Sequence, residues 1–447
     1  MLGPELVAYR DLTIHIRNAG KGMAEVRLDG PDGEVEGALR LPIDPWDVEQ
    51  ALGGATRAPQ KAWVQRSAPV GAVDPLKEIG RVLFAALFEG RREVAYRRAL
   101  DQAAYAQEGL RLVFDTKDEE IAGLPWEFLH DGVDFVGMSE RTPVVRGASG
   151  AGEPAPAGGD ELRLLVMIGG ALSEVDVEAQ LDPLKELAGR DAGARLSVVP
   201  GGGGMEALEQ ALREFQPNAL HVLGHGAGTG GEQSLVLDGP GAGSYSLRGS
   251  GLLVSGRMFS RLLAGAGGLR LIAFCGANTE SLAYQIARQA PMLRAVVGTR
   301  AQMTSRTSLA FVSGMYRSLM GQSFVSAAIT RGRQEADQSS PGSREWGLPV
   351  VYVRGPETRL LQAPQAEAYV PKGVSATLSP PKDPETSREW SKLLSLRQMY
   401  EQTLATLTEQ VNRGKKAPYL IEMQVKQTQE RIDDLDRRMQ EMDAEDA

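Results

Sequence analysis

The stretch "ALHVLGHGAG", residues 219–228, decides the fold. An almost wholly apolar run ends abruptly in Gly224-His225-Gly226. A strand covered on both faces reads this way, without polar alternation, and glycine ends it. "LRLIAFCGAN", residues 269–278, repeats the design and ends in Cys275-Gly276. Similar runs recur at "LRLLVMI" (162–168), "LSVV" (196–199), "RAVVGT" (294–299) and "LPVVYV" (348–353). Helical patterns lie between several of them: "DVEAQLDPLKELAG", "MEALEQALREF", "ESLAYQIARQ" and "SLAFVSGMYRSLM". This alternation over residues 161–355 predicts an α/β unit with a mostly parallel sheet and helices on both faces. Such sheets bind ligands beyond the carboxyl ends of their strands, where His225 and Cys275 both fall.

Two Pro/Gly/Ala-rich stretches, residues 147–160 and 356–387, read as linkers. Upstream, residues 1–146 predict a mixed α+β region. "LTIHIRN", "MAEVRLDG" and "GEVEGALRLP" alternate like antiparallel strands with one solvated face. "PLKEIGRVLFAALFEG" and "REVAYRRALDQAAYAQEG" read as helices, "LRLVFD" as a strand, and "LPWEFLHDG" as a packed corner. Downstream, residues 388–447 are rich in Gln, Glu, Arg and Lys. Two seams, Leu396 to Val411 and Ile421 to Met442, flank the breaker "NRGKKAP". They predict an antiparallel helical hairpin whose seams pack on each other or receive a partner.

The 447 residues allow two or three domains, and 42% hydrophobic with 24% charged residues is ordinary for a globular chain. A formal charge of −9 argues against nucleic acid or an anionic membrane as the main partner. One cysteine leaves no intrachain disulfide and suits a reducing compartment. The N-terminal stretch has no basic segment followed by an apolar core, and no apolar run approaches the roughly 18–20 residues a bilayer needs. The expected location is the cytoplasm.

A thiol attacks as thiolate, and a nearby imidazole supplies that form near neutral pH. Cys275 and His225 end two predicted strands. If those strands are neighbours, a spacing of about 4.8 Å brings the side chains within reach. Each is followed by glycine, which lets a backbone approach closely. The amides of Gly226 and Cys275 can then face an oxyanion. Such a constellation suits acyl transfer, most simply peptide hydrolysis. Taken singly, a cysteine at an apolar strand end is a small buried hydrophobe. What favours chemistry is the pair at equivalent strand ends.

His15 and His130 read as structural. His221 lies on the same face as His225 but four residues deeper, and reads as packed. "GAGTGG" (226–231) fits a dinucleotide-loop spacing, but no helix pattern follows it. No His/Cys/carboxylate cluster has metal spacing, and no cofactor is implied.

Residues 161–355 resemble the CHAT family, bacterial relatives of caspases and separases. The resemblance is carried by "ALHVLGHG", "LIAFCGAN", "SLAYQIARQAPMLRAVVG", "SLAFVSGMYRSLM" and "WGLPVVYVR"; upstream, "IAGLPWEFLHDG" and "TPVVRG" extend it to about four-fifths of the chain. It implies a caspase-like fold and a cysteine endopeptidase, with His225 as general base and Cys275 as nucleophile. Gly226 and the Cys275 amide would form the oxyanion hole. Many relatives carry an Asp that receives a basic side chain of the substrate; Ser305 stands at that place here, flanked by Arg300 and Arg306. The expected consequence is that cleavage after Arg or Lys is not the default, and that an acidic or small residue is taken instead. The competing expectation is that another acid, Asp176 or Asp238, lines the pocket.

The C-terminal segment resembles helical adaptor modules of bacterial conflict proteins. That implies an activating or adaptor protein, or an oligomer, in antiviral defence or regulated cell death. Two other readings stand beside the peptidase: a non-catalytic caspase-like interaction scaffold and a nucleotide-binding α/β module.

Overall fold

The alternating pattern of residues 9–40 buries one side chain in two, as at Leu12, Ile14 and Ile16, and builds an antiparallel meander. In the computed structural model its strands are β1 (Tyr9–Gly20), β2 (Met23–Gly30) and β3 (Gly33–Arg40). Helices α1 (Pro45–Ala55), α2 (Pro75–Leu87) and α3 (Arg91–Tyr105) follow, then β4 (Gly109–Asp115), α4 (Glu119–Ala122) and β5 (Val144–Gly147). The Asp74 carboxylate caps α2 by accepting from the N–H groups of Leu76 and Lys77, with Pro75 at the first helical position.

The second half runs β6 (Leu162–Ile168), α5 (Glu174–Arg190), β7 (Ala194–Val199), α6 (Gly204–Phe215) and β8 (Ala219–Leu223). The short strands β9 (Gly226–Ala227), β10 (Ser234–Leu237) and β11 (Leu252–Ser255) come next, then α7 (Gly256–Leu263) and β12 (Leu271–Cys275). The series closes with α8 (Glu280–Gln289), β13 (Ala295–Thr299), α9 (Ser305–Met320), α10 (Val325–Ser339) and β14 (Pro349–Val353). The structure describes residues 8–20, 22–40, 45–55, 74–148, 159–170, 174–190, 193–228, 233–237, 252–321, 323–357 and 359–361. Further on it describes 392–393, 396–397, 400, 428–429, 431–435 and 437–438.

Among the described residues one sheet runs β3-β2-β1-β4-β5-β14-β13-β12-β8-β6-β7. It is antiparallel only at β1–β2, β2–β3 and β13–β14. The fold is therefore α/β with a large, mostly parallel sheet. Both faces are covered because consecutive strand residues point to opposite sides. Leu220, Val222, Ile272 and Phe274 pack with Leu208 of α6, Phe259 of α7 and Ile286 of α8. Ala219, Leu223, Ala273 and Cys275 pack on the other side with Leu181 of α5, Met315 of α9 and Ile329 of α10. Each large apolar side chain buried this way contributes about 1.5–3 kcal/mol.

β5 pairs in parallel with both β4 and β14, so a single sheet crosses from the N-terminal region into the second half. Residues 149–158, within the expected linker, lie outside the described residues, as does most of 356–387. The chain divides into two units, Met1–Gln365 and Ala366–Ala447. In the second unit the described residues are helical, Ile432 and Leu435 are buried, and Arg431 donates to the Tyr400 hydroxyl at 3.0 Å. The remainder of the expected hairpin lies outside the described residues.

Candidate active site

β8 and β12 are parallel neighbours, with Cys275 opposite Leu223 and Ala273 opposite His221. β8 also pairs with β6, and the order reverses between these two strands, so the switch point lies at the carboxyl end of β8 with β12 as its next neighbour. The register sets which way the thiol points. Cys275, Leu223, His221 and Ala273 share one face, towards α9. The Cys275 Sγ lies 3.9 Å from the His221 Nδ1, which is 3.2 Å from the Tyr316 hydroxyl on α9. Burial pushes the thiol up from 9.0 to about 12 and the His221 imidazole down from 6.5 to about 3. At neutral pH this is a protonated thiol beside a neutral imidazole. The His221 Nε2 is buried and has no hydrogen-bond partner among the described residues.

His225 stands just past β8, half-buried. Its Nδ1 accepts from the N–H of Ala277, two residues beyond the thiol, at 3.1 Å. That bond leaves the proton of the neutral ring on Nε2. The Gly226 N–H donates to the Ala277 carbonyl at 2.9 Å. In this arrangement the amide expected to face an oxyanion is already engaged by the loop after Cys275.

The glycines have a packing reason as well. A Cβ at Gly276 would fall 2.0 Å from the Gly224 carbonyl oxygen, and one at Gly226 would fall 1.9 Å from that of Asn278. The two strand-end loops therefore pack backbone against backbone. Asn278 itself holds the left-handed conformation at φ 60°, which Asn tolerates better than most residues. β9 continues into β10 and β11 as a small antiparallel sheet, with Gly226 opposite Leu235. Of the "GAGTGG" stretch the described residues are 226–228, where Gly226–Ala227 form β9, and the next described element is strand β10.

Beside these loops lies a cavity of about 360 Å³ walled by Gly226, Gly228, Gln233, Asn278, Glu280 and Arg300. Cys275 and His225 do not line it. Among the described residues, Arg300 is the only one of the expected substrate-binding side chains on its wall. The guanidinium donates to the carbonyls of Gly123 and Leu124 at 2.8 and 2.9 Å and pairs with Glu280 at 3.1 Å. Ser305 and Arg306 are exposed on the first turn of α9, away from the wall. Asp238 and the side chain of Asp176 lie outside the described residues.

The sequence reading missed the charged layer behind the cavity. Glu127, fully buried in "LPWEFLH", takes a bidentate fork from Arg146 at 2.9 and 2.9 Å, and Arg300 lies 3.8 Å from the same carboxylate. Burial alone would raise Glu127, but Arg146 and then Arg300 outweigh it and hold the carboxyl at about 2. Glu280 is 3.6 Å from Arg146 and accepts from the Tyr352 hydroxyl at 3.4 Å. A glutamate inside an otherwise apolar corner was the available signal, since a charge there must find a partner. Among the described residues no group of three or more His, Cys, Asp or Glu side chains is placed to hold a metal ion, and no helix is long and apolar enough to cross a membrane.

No protein-family model matches the chain, and no curated protein is similar to it. Among solved structures, two crystal structures of the Saccharomyces cerevisiae separase–securin complex are similar, each at 11% identity, with TM-scores of 0.45 and 0.44. Each match covers 79% of this chain, which spans 30% of the chain it matches.

Proposed function

We propose that this chain is a caspase-like cysteine endopeptidase held in a resting arrangement. The observation that carries the reading is the 3.1 Å bond from the Ala277 N–H to the His225 Nδ1, between loops issuing from registered parallel strands. It sets the imidazole of one strand end against the loop that begins at the thiol of the other. The sequence resemblance to the CHAT family supports the same roles.

In the working state His225 takes the thiol proton and the Cys275 sulfur attacks the substrate carbonyl carbon. The resulting oxyanion is held by the amides of Gly226 and Cys275. The C–N bond then breaks as His225 protonates the leaving amine, and water hydrolyses the thioester. The resting arrangement withholds two of these parts: the thiol is buried beside His221, and the Gly226 N–H is bonded to Ala277. Moving the loop 276–279 frees the Gly226 N–H, and the sulfur is freed when Cys275, at the end of β12, also turns from its interior face. An activating protein acting on this loop, or through residues 388–447 where a helical hairpin is expected, fits such a device. The setting implied by the resemblance is bacterial defence or cell death, on a protein substrate.

The same buried thiol favours a second reading, an interaction scaffold without catalysis. One experiment separates them. New N-termini produced in cells by the full chain are compared with those from the Cys275→Ala and His225→Ala variants. Termini that need both side chains support the peptidase. An identical set from all three chains leaves the scaffold.

A further inference from the structure

The cavity beside Gly226 borders the loop that follows Cys275, where a substrate side chain next to the scissile bond would lie. We propose that it receives the side chain on the acyl side of that bond and selects an uncharged carboxamide, glutamine or asparagine. This rests on the peptidase reading for the position of the bond, and goes beyond it in naming what the pocket accepts.

The wall holds one carboxylate and one guanidinium, already paired. Arg300 spends its terminal nitrogens on Glu280 and on the carbonyls of Gly123 and Leu124. Its charge is compensated, so the acidic preference expected from Arg300 does not follow. A lysine or arginine reaching for Glu280 meets Arg300 at 3.1 Å and Arg146 at 3.6 Å from the same carboxylate oxygen. An aspartate or glutamate reaching for Arg300 meets Glu280 instead. Either charge would be taken out of water with its attraction and its repulsion nearly balanced.

A carboxamide does not meet this penalty, and it brings one acceptor and two donors. The wall has matching groups to spare. The shortest contacts of Arg300 and Arg146 and the Tyr352 hydrogen bond all fall on the Glu280 Oε1 rather than on Oε2. Gln233 and Asn278 line the cavity, and among the described residues their side-chain amides make no hydrogen bond. The NH₂ of an incoming carboxamide donates to the Glu280 Oε2, and its oxygen accepts from Gln233 or Asn278. A site built to hydrogen-bond a polar group rejects analogues that cannot complete the pattern.

The test uses full-length Cys275→Ala protein, so that binding is read without turnover. It is titrated by NMR with acetylated tetrapeptides, Ala-Ala-Ala-X, in which X is Gln, Asn, Arg or Glu. The expected result is at least tenfold tighter binding of Gln or Asn than of Arg or Glu. Adding Glu280→Gln, which keeps the shape of the side chain, removes the charge that balances Arg300 and shifts the preference towards Glu. Equal or tighter binding of Arg, or no binding by any peptide, overturns the inference. The peptidase reading is scored separately, by wild-type turnover of acetyl-Ala-Ala-Ala-X-Ala-Ala, which carries a bond after X. Cleavage after Arg keeps the peptidase and removes the pocket assignment. Selective binding of Gln without any turnover does the reverse.

Discussion

The resting thiol gives the sharpest prediction, because the chain has only one cysteine and every adduct reports on it. Cys275 is 9% exposed, and burial raises its thiol from 9.0 to about 12. At pH 8 an ordinary thiol is about one-tenth thiolate, whereas one titrating near 12 is about one part in ten thousand. Alkylation by iodoacetamide should therefore be about a thousandfold slower in the folded protein than in denaturant. The folded rate should climb about tenfold with each pH unit until the fold fails. Intact-mass spectrometry over a time course reads both rates. An agent or protein that opens the loop 276–279 and turns Cys275 from its interior face should recover most of the difference. A folded-state rate within about tenfold of the denatured rate would show that the sulfur is not held against His221, and the resting arrangement would be wrong.

Glu127→Gln should destabilise the fold by about 3–5 kcal/mol in urea denaturation, because it strips the buried Arg146 of its counter-charge. His221 titrates near 3 when folded against 6.5 ordinarily, so only the unfolded chain binds its proton between those values. Its contribution to stability should accordingly fall as pH drops from 6.5 towards 3, by up to about 1.4 kcal/mol per pH unit, and be nil above 6.5; His221→Gln should flatten that slope in pH-dependent denaturant melts. Gly276→Ala places a Cβ 2.0 Å from the Gly224 carbonyl oxygen, and should lower stability by at least about 1–3 kcal/mol in thermal unfolding. Tyr316→Phe removes the hydroxyl 3.2 Å from the His221 Nδ1, at about 1 kcal/mol by the same assay.

Much of the fold was legible because it is written in local period. Largely apolar runs at 162–168 and 219–223, each interrupted by one polar residue, became the strands β6 and β8, and "ESLAYQIARQ" became α8 over Glu280–Gln289. Helix α10 was not legible. It buries Ser326, Thr330 and Arg333, and packs Gly332 where a Cβ would fall 2.7 Å from the Phe311 carbonyl oxygen, so its inner face does not read as apolar. The four-residue β5 was too short to show a period, although it joins the two halves of the sheet.

What the sequence by itself determined was that His225 and Cys275 stand at strand ends, since an apolar run stopped by glycine is a local signal. Which side chain the sulfur faces was decided only by the tertiary structure. That choice depends on the register between β8 and β12, and the register sets Ala273 beside His221 and turns Cys275 into the same interior face. The charged layer at and behind the cavity is likewise non-local: Glu280 and Arg300 on its wall and Glu127 and Arg146 behind them come from segments remote along the chain, and meet because buried charges persist only where their partners are brought to them.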